Sequence, residues 1–243
     1  MVNFIHYLNI VNNFISGLDG MKFIFFMIMV SVLLSGCNIG LKNKIYNNIS
    51  EMVDFVVVGG DDNMSISLMC GRRELEYKSD GVATQLIPYG VLTLYGVGED
   101  VKQVDYVLFV GTIKYQGGMQ KNPYDSSWVA DIKTVVDESE NISVDILIDN
   151  AKVSYKLKSA SKEWEVASKD LIDLLIDDYS DILKEFIKDG VFEGEVYIKL
   201  INEYEMYANH YYYYVSIVER NGGSFNILVS PTTKEVLASS NTI

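Results

Sequence analysis

Between two stretches of alternating apolar and polar residues the chain carries one strong helical pattern, SKDLIDLLIDDYSDILKEFIKDG at 168–190. At 100° per residue, Ile172, Leu175, Ile176, Tyr179, Ile182, Leu183, Phe186 and Ile187 share one broad apolar face. Asp170, Asp173, Asp177, Asp181, Glu185 and Lys188 share the opposite face, with Leu174 alone among the carboxylates. Ser168 suits the N-cap and Asp170 the first turn; Lys188 suits the last turn and Gly190 the C′ position. A lone amphipathic helix must bury its face against another layer, and the flanking period-2 runs supply a sheet. The pattern predicts an α+β chain with mostly antiparallel sheet. A β-rich part over 52–158 precedes, over 161–243, one helix packed on an antiparallel meander.

The strand signals are short runs between turn residues. DFVVV, SISLM and ELEYK are separated by GGDDN and GRR, and GVLTLYGV and VDYVLFVGTIKYQ follow. After the Gly- and Pro-bearing loop GGMQKNPYDSS come WVADIKTVV, ISVDILID and KVSYKLK, with hairpin turns expected at 137–141 and Asp149-Asn150. Beyond the helix, GEVYIKLINEYEMY and HYYYYVSIVER read as long strands, NGGS as a turn into FNILVS, and PTTK as a turn into EVLAS. The stretch YYYYVSIVERNGGSFNILVSPTTKEVLAS is loosely similar to the ends of PepSY-like and cystatin-like α+β modules of exported bacterial proteins. Lys234 stands where that pattern has glycine. The resemblance covers about 30 residues and bears on fold alone.

The N-terminal segment speaks to location. Met21 and Lys22 precede an apolar run from Phe23 to Leu34, interrupted by Ser31, and Ser35, Gly36 and Cys37 follow. Positive start, short apolar core and small-residue cleavage site form the layout of a secretory signal. The run is shorter than the roughly 20 residues a membrane-crossing helix needs. Leu34-Ser35-Gly36-Cys37 resembles a bacterial lipobox. That resemblance implies a diacylglycerol on the Cys37 thiol, cleavage before it and an acylated, membrane-held mature N-terminus outside the cytoplasm. Two or more acyl chains hold a protein stably at a membrane. The expected organisation is thus a signal peptide over 1–36 with translation starting at Met21, and a polar tether over 37–51. Phe4, Tyr7, Leu8, Val11, Phe14, Ile15 and Leu18 alternatively make an extra helix of residues 1–20.

Charge and residue supply exclude much chemistry. The net charge is −13, which opposes nucleic-acid binding by phosphate neutralisation and attraction to anionic lipid. With Cys37 acylated, Cys70 has no disulfide partner and reads as a small buried hydrophobe. His210, in a tyrosine-rich strand, reads as a partly buried structural residue, so zinc and Ser-His-Asp sites lack their ligands. Ser159-Ala-Ser161-Lys162 spells S-x-x-K but lacks the partner motifs and sits in a linker. No cofactor is expected. Asp173, Asp177 and Asp181 stack at four-residue spacing, a weak divalent-cation candidate whose simpler reading is a solvated acidic face.

Tyr211 to Tyr214, with Tyr207 nearby, is the strongest compositional oddity. On a strand Tyr211 and Tyr213 share one side and Tyr212 and Tyr214 the other. One pair packs under the helix, and the second is left at least half exposed. Tyr211, Tyr213 and Tyr207 are taken as the contact residues of a non-catalytic, lipid-anchored surface protein that binds a protein or glycan of the cell envelope. The alternatives are an envelope hydrolase using paired carboxylates, or an inhibitor-like module presenting the Gly117–Ser127 loop. Composition leaves the oligomeric state open. Replacing Cys37 by alanine is expected to abolish fatty-acid incorporation and release the protein from the membrane fraction; labelled palmitate and fractionation read both.

Overall fold

A computed structural model describes residues 40–75, 83–133, 136, 138, 140–205, 208–220 and 222–242, with the side chains of 203–209 outside that description. The chain divides into two units, Met1–Lys44 and Ile45–Ile243. Of the first, the described residues 40–44 are helical. Cys37 and Tyr207 lie outside the described residues.

The second unit is built on a ten-stranded sheet of order β16-β15-β14-β13-β1-β2-β3-β7-β6, with β10 pairing on β1. Its members are β1 (Ile49–Gly60), β2 (Ser65–Glu74), β3 (Leu86–Tyr95), β6 (Gln120–Lys121), β7 (Trp128–Ile132), β10 (Lys158–Ser159), β13 (Gly194–Glu205), β14 (Ala208–Glu219), β15 (Ser224–Val229) and β16 (Val236–Asn241). A second sheet of order β5-β4-β8-β9 comprises β4 (Val104–Val110), β5 (Ile113–Gly118), β8 (Ile142–Ile148) and β9 (Ala151–Lys156). The two sheets close over one apolar core. Phe55, Val57, Ile66, Leu68 and Leu92 face Val104, Leu108, Val144 and Ile146, all buried. The class is therefore α+β with mostly antiparallel sheet, and the large sheet draws strands from both the first and last thirds of the chain.

Among the described residues every pairing in the large sheet is antiparallel except one. β1 runs parallel to β13, with Ile49 opposite Val196 and Met52 opposite Ile198. After Val53 an extra residue, Asp54, bulges from β1, and Phe55 resumes pairing opposite Cys70. Opposite the bulge stands Gly71, where an added Cβ would lie 2.4 Å from the Met52 carbonyl oxygen. Beyond the bulge β1 leaves β13 and takes β10 as its neighbour, Val57 opposite Ser159.

Several details differ from the sequence expectation. The proposed tether is partly structured: residues 40–46 are helical, β1 starts at Ile49, and Ile45 and Ile49 are buried. Tyr46 donates its hydroxyl to the Lys169 carbonyl at 3.0 Å. The chain thus has a second helical segment besides the main helix, so the one-helix expectation is corrected. Gly71-Arg72-Arg73 is no turn but part of β2, and Gly111, at φ 56°, splits the run 104–116 into the β4–β5 hairpin. Asp149 and Asn150, at φ 45° and 74°, make the expected tight turn between β8 and β9.

The main helix, α1 (Leu171–Glu185), is shorter and more deeply buried than its pattern suggests. Ser168–Asp170 form a 3₁₀ turn ahead of it, and Asp170 Oδ2 accepts the Ala167 N–H at 3.3 Å. Leu171 and Leu174 are buried with Ile172, Leu175 and Ile176, so the first half hides more than half its circumference. Tyr179 departs from helical geometry at φ −129°, ψ 22°, and its ring meets Phe225 of β15 at 5.1 Å. The helix ends before Lys188 because Asp189 and Gly190, both at positive φ, turn β11 (Ile187–Lys188) onto β12 (Val191–Phe192). Asp-Gly is a hairpin signal here rather than a helix stop.

The parallel junction carries a buried polar clasp. Glu195 is fully buried; its Oε1 accepts the Ser50 hydroxyl at 3.1 Å and its Oε2 the Tyr197 hydroxyl at 3.0 Å. Glu51 accepts the Tyr89 hydroxyl at 2.9 Å and meets Lys199 Nζ at 3.5 Å. Glu195→Ala would leave the Ser50 and Tyr197 hydroxyls buried without this acceptor, a loss of about 2–4 kcal/mol at the usual cost of such groups. Glu195→Gln, which keeps one acceptor oxygen, is expected to lose less; urea unfolding measures both.

Candidate functional site

Where β1 parts from β13, a corner forms that gathers hydroxyls, a carboxylate and aromatic rings. β10 ends at Ser159, and a 3₁₀ turn, Ser161–Glu163, leads to Trp164. Ser161 Oγ accepts the Val56 N–H at 3.1 Å, which pins the turn to the edge of β1. Glu138 Oε1 accepts the Ser159 hydroxyl and lies 3.2 Å from Ser161 Oγ. The S-x-x-K sequence does not assemble its nucleophile geometry. Ser159 Oγ accepts the Lys162 backbone N–H at 3.1 Å, and Lys162 is exposed.

Trp164 carries the corner onto the tyrosine strand. Its ring lies 5.8 Å from Tyr211 and 5.6 Å from Tyr213, edge-on to the latter. Tyr211 and Tyr213 are therefore the inward pair, 8% and 1% exposed. This corrects their assignment as an exposed contact face. Tyr212 and Tyr214 hold the other side, half-buried, and Tyr214 donates its hydroxyl to Asn226 Oδ1 at 2.8 Å. Burial pushes the Tyr211 phenol up to about 12. Burial, then the Asp170 charge, raises the Tyr213 phenol, against a backbone hydrogen bond at Ser168. His210 is exposed rather than partly buried.

The remaining sequence candidates stay apart. Asp173, Asp177 and Asp181 are all exposed, and the Tyr179 irregularity interrupts their four-residue stacking. A hydrogen bond from Lys184 at 2.7 Å holds the Asp181 carboxyl below its ordinary value. Among the described residues no group of three or more His, Cys, Asp or Glu is placed to hold a metal ion.

The Gly117–Ser127 segment is more organised than a plain loop. β6 interrupts it, and the Asn122 N–H donates to the Ser127 carbonyl at 2.7 Å, closing a short protrusion. Within it the Tyr124 N–H donates to Asn122 Oδ1 at 3.1 Å, and Asp125 Oδ1 accepts both the Ser127 N–H and hydroxyl at 3.0 and 2.6 Å. The Tyr124 side chain at the tip is 94% exposed. Beside it opens a cleft of about 530 Å³, lined among others by Gln120, Lys121, Pro123, Val129 and Asp131.

Sequence reasoning missed Glu51, Glu195, Glu138 and Trp164. Of this corner, only the S-x-x-K serines had drawn notice, in a segment read as a linker. No family model matches the chain, and no curated protein and no solved structure matches it either.

Cys70 is buried on β2, and burial, then the nearby Asp54 charge, pushes its thiol up to about 12. Native protein is expected to react with a thiol-disulfide reagent at least about a hundredfold more slowly than denatured protein, because attack needs exposed thiolate. Stopped-flow and manual kinetics in buffer and in guanidinium give the ratio.

Proposed function

We propose that this chain is an exported lipoprotein, anchored through Cys37, that works as a non-catalytic binding module for a protein or other component of the cell envelope. The observation that carries the reading is the braced Asn122–Ser127 protrusion with Tyr124 at its tip. A tyrosine offers large amphipathic contact area at low entropic cost, and a loop already fixed by its own hydrogen bonds loses little freedom on binding. The contact surface moves from the Tyr211–Tyr213 strand to this loop because those two side chains are buried. Tyr207 is not placed by the described residues.

The buried carboxylates favour binding over hydrolysis. Both oxygens of Glu51 and both of Glu195 are engaged by partners that hold the sheet together. Among the described residues, the carboxyls with a clear displacement, Asp61, Asp145 and Asp181, are all held below their ordinary value by hydrogen bonds. A general acid needs the opposite shift.

A photo-reactive residue in place of Tyr124 is expected to capture one saturable envelope partner in cells. Tyr124→Ala should weaken that association about tenfold or more, as truncation of an aromatic anchor does, with no change in unfolding. Capture equal to that from a photo-reactive residue at Lys162 would defeat the proposal.

A further inference from the structure

β7 is fully paired on one side and only part-paired on the other. Against β3 all its residues find partners, from Trp128 opposite Leu94 to Ile132 opposite Gly90. Against β6 only Trp128 and Val129 do, opposite Lys121 and Gln120. The cause is the path of the chain before Gln120. The Met119 N–H donates to the Val104 carbonyl at 2.7 Å and Gly118 pairs with Asp105, so the segment belongs to the second sheet until it crosses to β7. Among the described residues, no strand pairs with Ala130, Asp131 or Ile132 on that side. The cleft of about 530 Å³ opens at this departure, with Gly118, Gln120, Ala130 and Asp131 among its walls. Its volume lies within the roughly 300–1,000 Å³ of ligand pockets.

Which backbone groups face the opening follows from the ladder. In an antiparallel pair, alternate residues send both N–H and C=O to the same neighbour. The Asn122 N–H reaches the Ser127 carbonyl, so Ser127, Val129 and Asp131 direct theirs to the β6 side, and Trp128, Ala130 and Ile132 theirs to β3. Val129 meets Gln120, and Asp131 is the first such residue past the end of β6. A sheet edge of this kind is completed by an extended chain whose own amides pair with the strand. The charge of the cleft narrows that chain further. Lys121 sends its ammonium to the Glu99 carbonyl at 3.4 Å and meets no carboxylate among the described residues. Asp131 is matched by Arg73 at 3.5 Å. The cleft thus keeps one unmatched positive charge on a chain of net charge −13, and an acidic side chain complements it.

We infer that the uncovered edge of β7 and the cleft beside it receive an extended, acidic segment of a partner protein, which joins the large sheet as a strand alongside Asp131. The inference rests on the binding role proposed for the neighbouring Tyr124 loop and names the chemistry of its partner.

The test sets the full mature protein against a random peptide library displayed on phage; a selected peptide is then synthesised and titrated. The expected peptides carry Asp or Glu and slow hydrogen exchange at the Asp131 amide. They bind about tenfold more weakly to Asp131→Pro, which removes that N–H, and several-fold more weakly to Lys121→Glu. Asp131→Ala, which keeps the N–H, binds as the parent does. Proline at 131 removes a donor that β3 does not use, so the sheet should persist. If it does not, Lys121→Glu, at an exposed side chain, and the exchange rate decide. Peptides without acidic residues, binding that Asp131→Pro and Lys121→Glu both leave unchanged, or a library yielding nothing tighter than about 1 mM overturn the inference. The two readings fail separately. Photo-capture from position 124 that persists undiminished in Asp131→Pro and Lys121→Glu keeps the loop contact and refutes strand addition. Peptide pairing at Asp131 with no capture from position 124 refutes the loop contact and keeps strand addition.

Discussion

The parallel pairing of β1 with β13 is the contact on which the rest of the molecule hangs. It joins residues about 145 apart in sequence, as the Ser50–Glu195 bond records. Closing so long a loop is entropically costly and must be offset by what the ends make together. Apolar burial supplies part, through Ile49, Met52, Val196 and Ile198. Glu195 supplies direction, because a fully buried carboxylate tolerates only the register that gives each oxygen a donor. Shifting β13 by one residue would turn Glu195, Tyr197 and Lys199 to the opposite face, away from Ser50 and Glu51.

Everything distinctive about the corner follows from how that pairing ends. The Asp54 bulge re-aims β1, so β13 and β14 run on without it. The gap beside β1 is filled by β10 and the Ser161–Glu163 turn, which hand Trp164 to the tyrosine strand. A bulge is a common device for such redirection. Gly71 makes it possible here, since any side chain opposite would strike the Met52 carbonyl.

Much of this fold was legible in the sequence, and the failures have physical causes. Strand runs around the Asp149-Asn150 turn declared themselves because the turn type demands positive φ. The helix was visible from its period, but its buried arc was not. Leu174 sits among carboxylates on the wheel yet is buried, because neighbouring segments, not the helix, decide how far round the cover extends. Asp189-Gly190 fits a helix stop and a hairpin equally well, and only tertiary pairing chooses. The tyrosine run was ambiguous by construction: four identical residues give the same pattern in either register, so nothing local says that Tyr211 and Tyr213 turn inward. The partner of β1 was beyond reach for a deeper reason, since long-range pairing leaves no local mark. Lys234 shows the reverse case, adopting φ 60° where glycine would be the easy choice, a strain invisible in its neighbours.

The buried carboxylates of this protein go into holding it together. In the clasp each carboxylate oxygen meets a donor of the same chain, and the network closes on itself. Such closure rigidifies and specifies a fold but offers nothing to a ligand. In the corner the Ser159, Ser161 and Glu138 bonds fix the turn that lays Trp164 against Tyr211 and Tyr213. The inner side of the tyrosine strand is thus spent on packing, and the aromatic side chain that stays exposed is Tyr124, at the tip of a protrusion braced by its own hydrogen bonds.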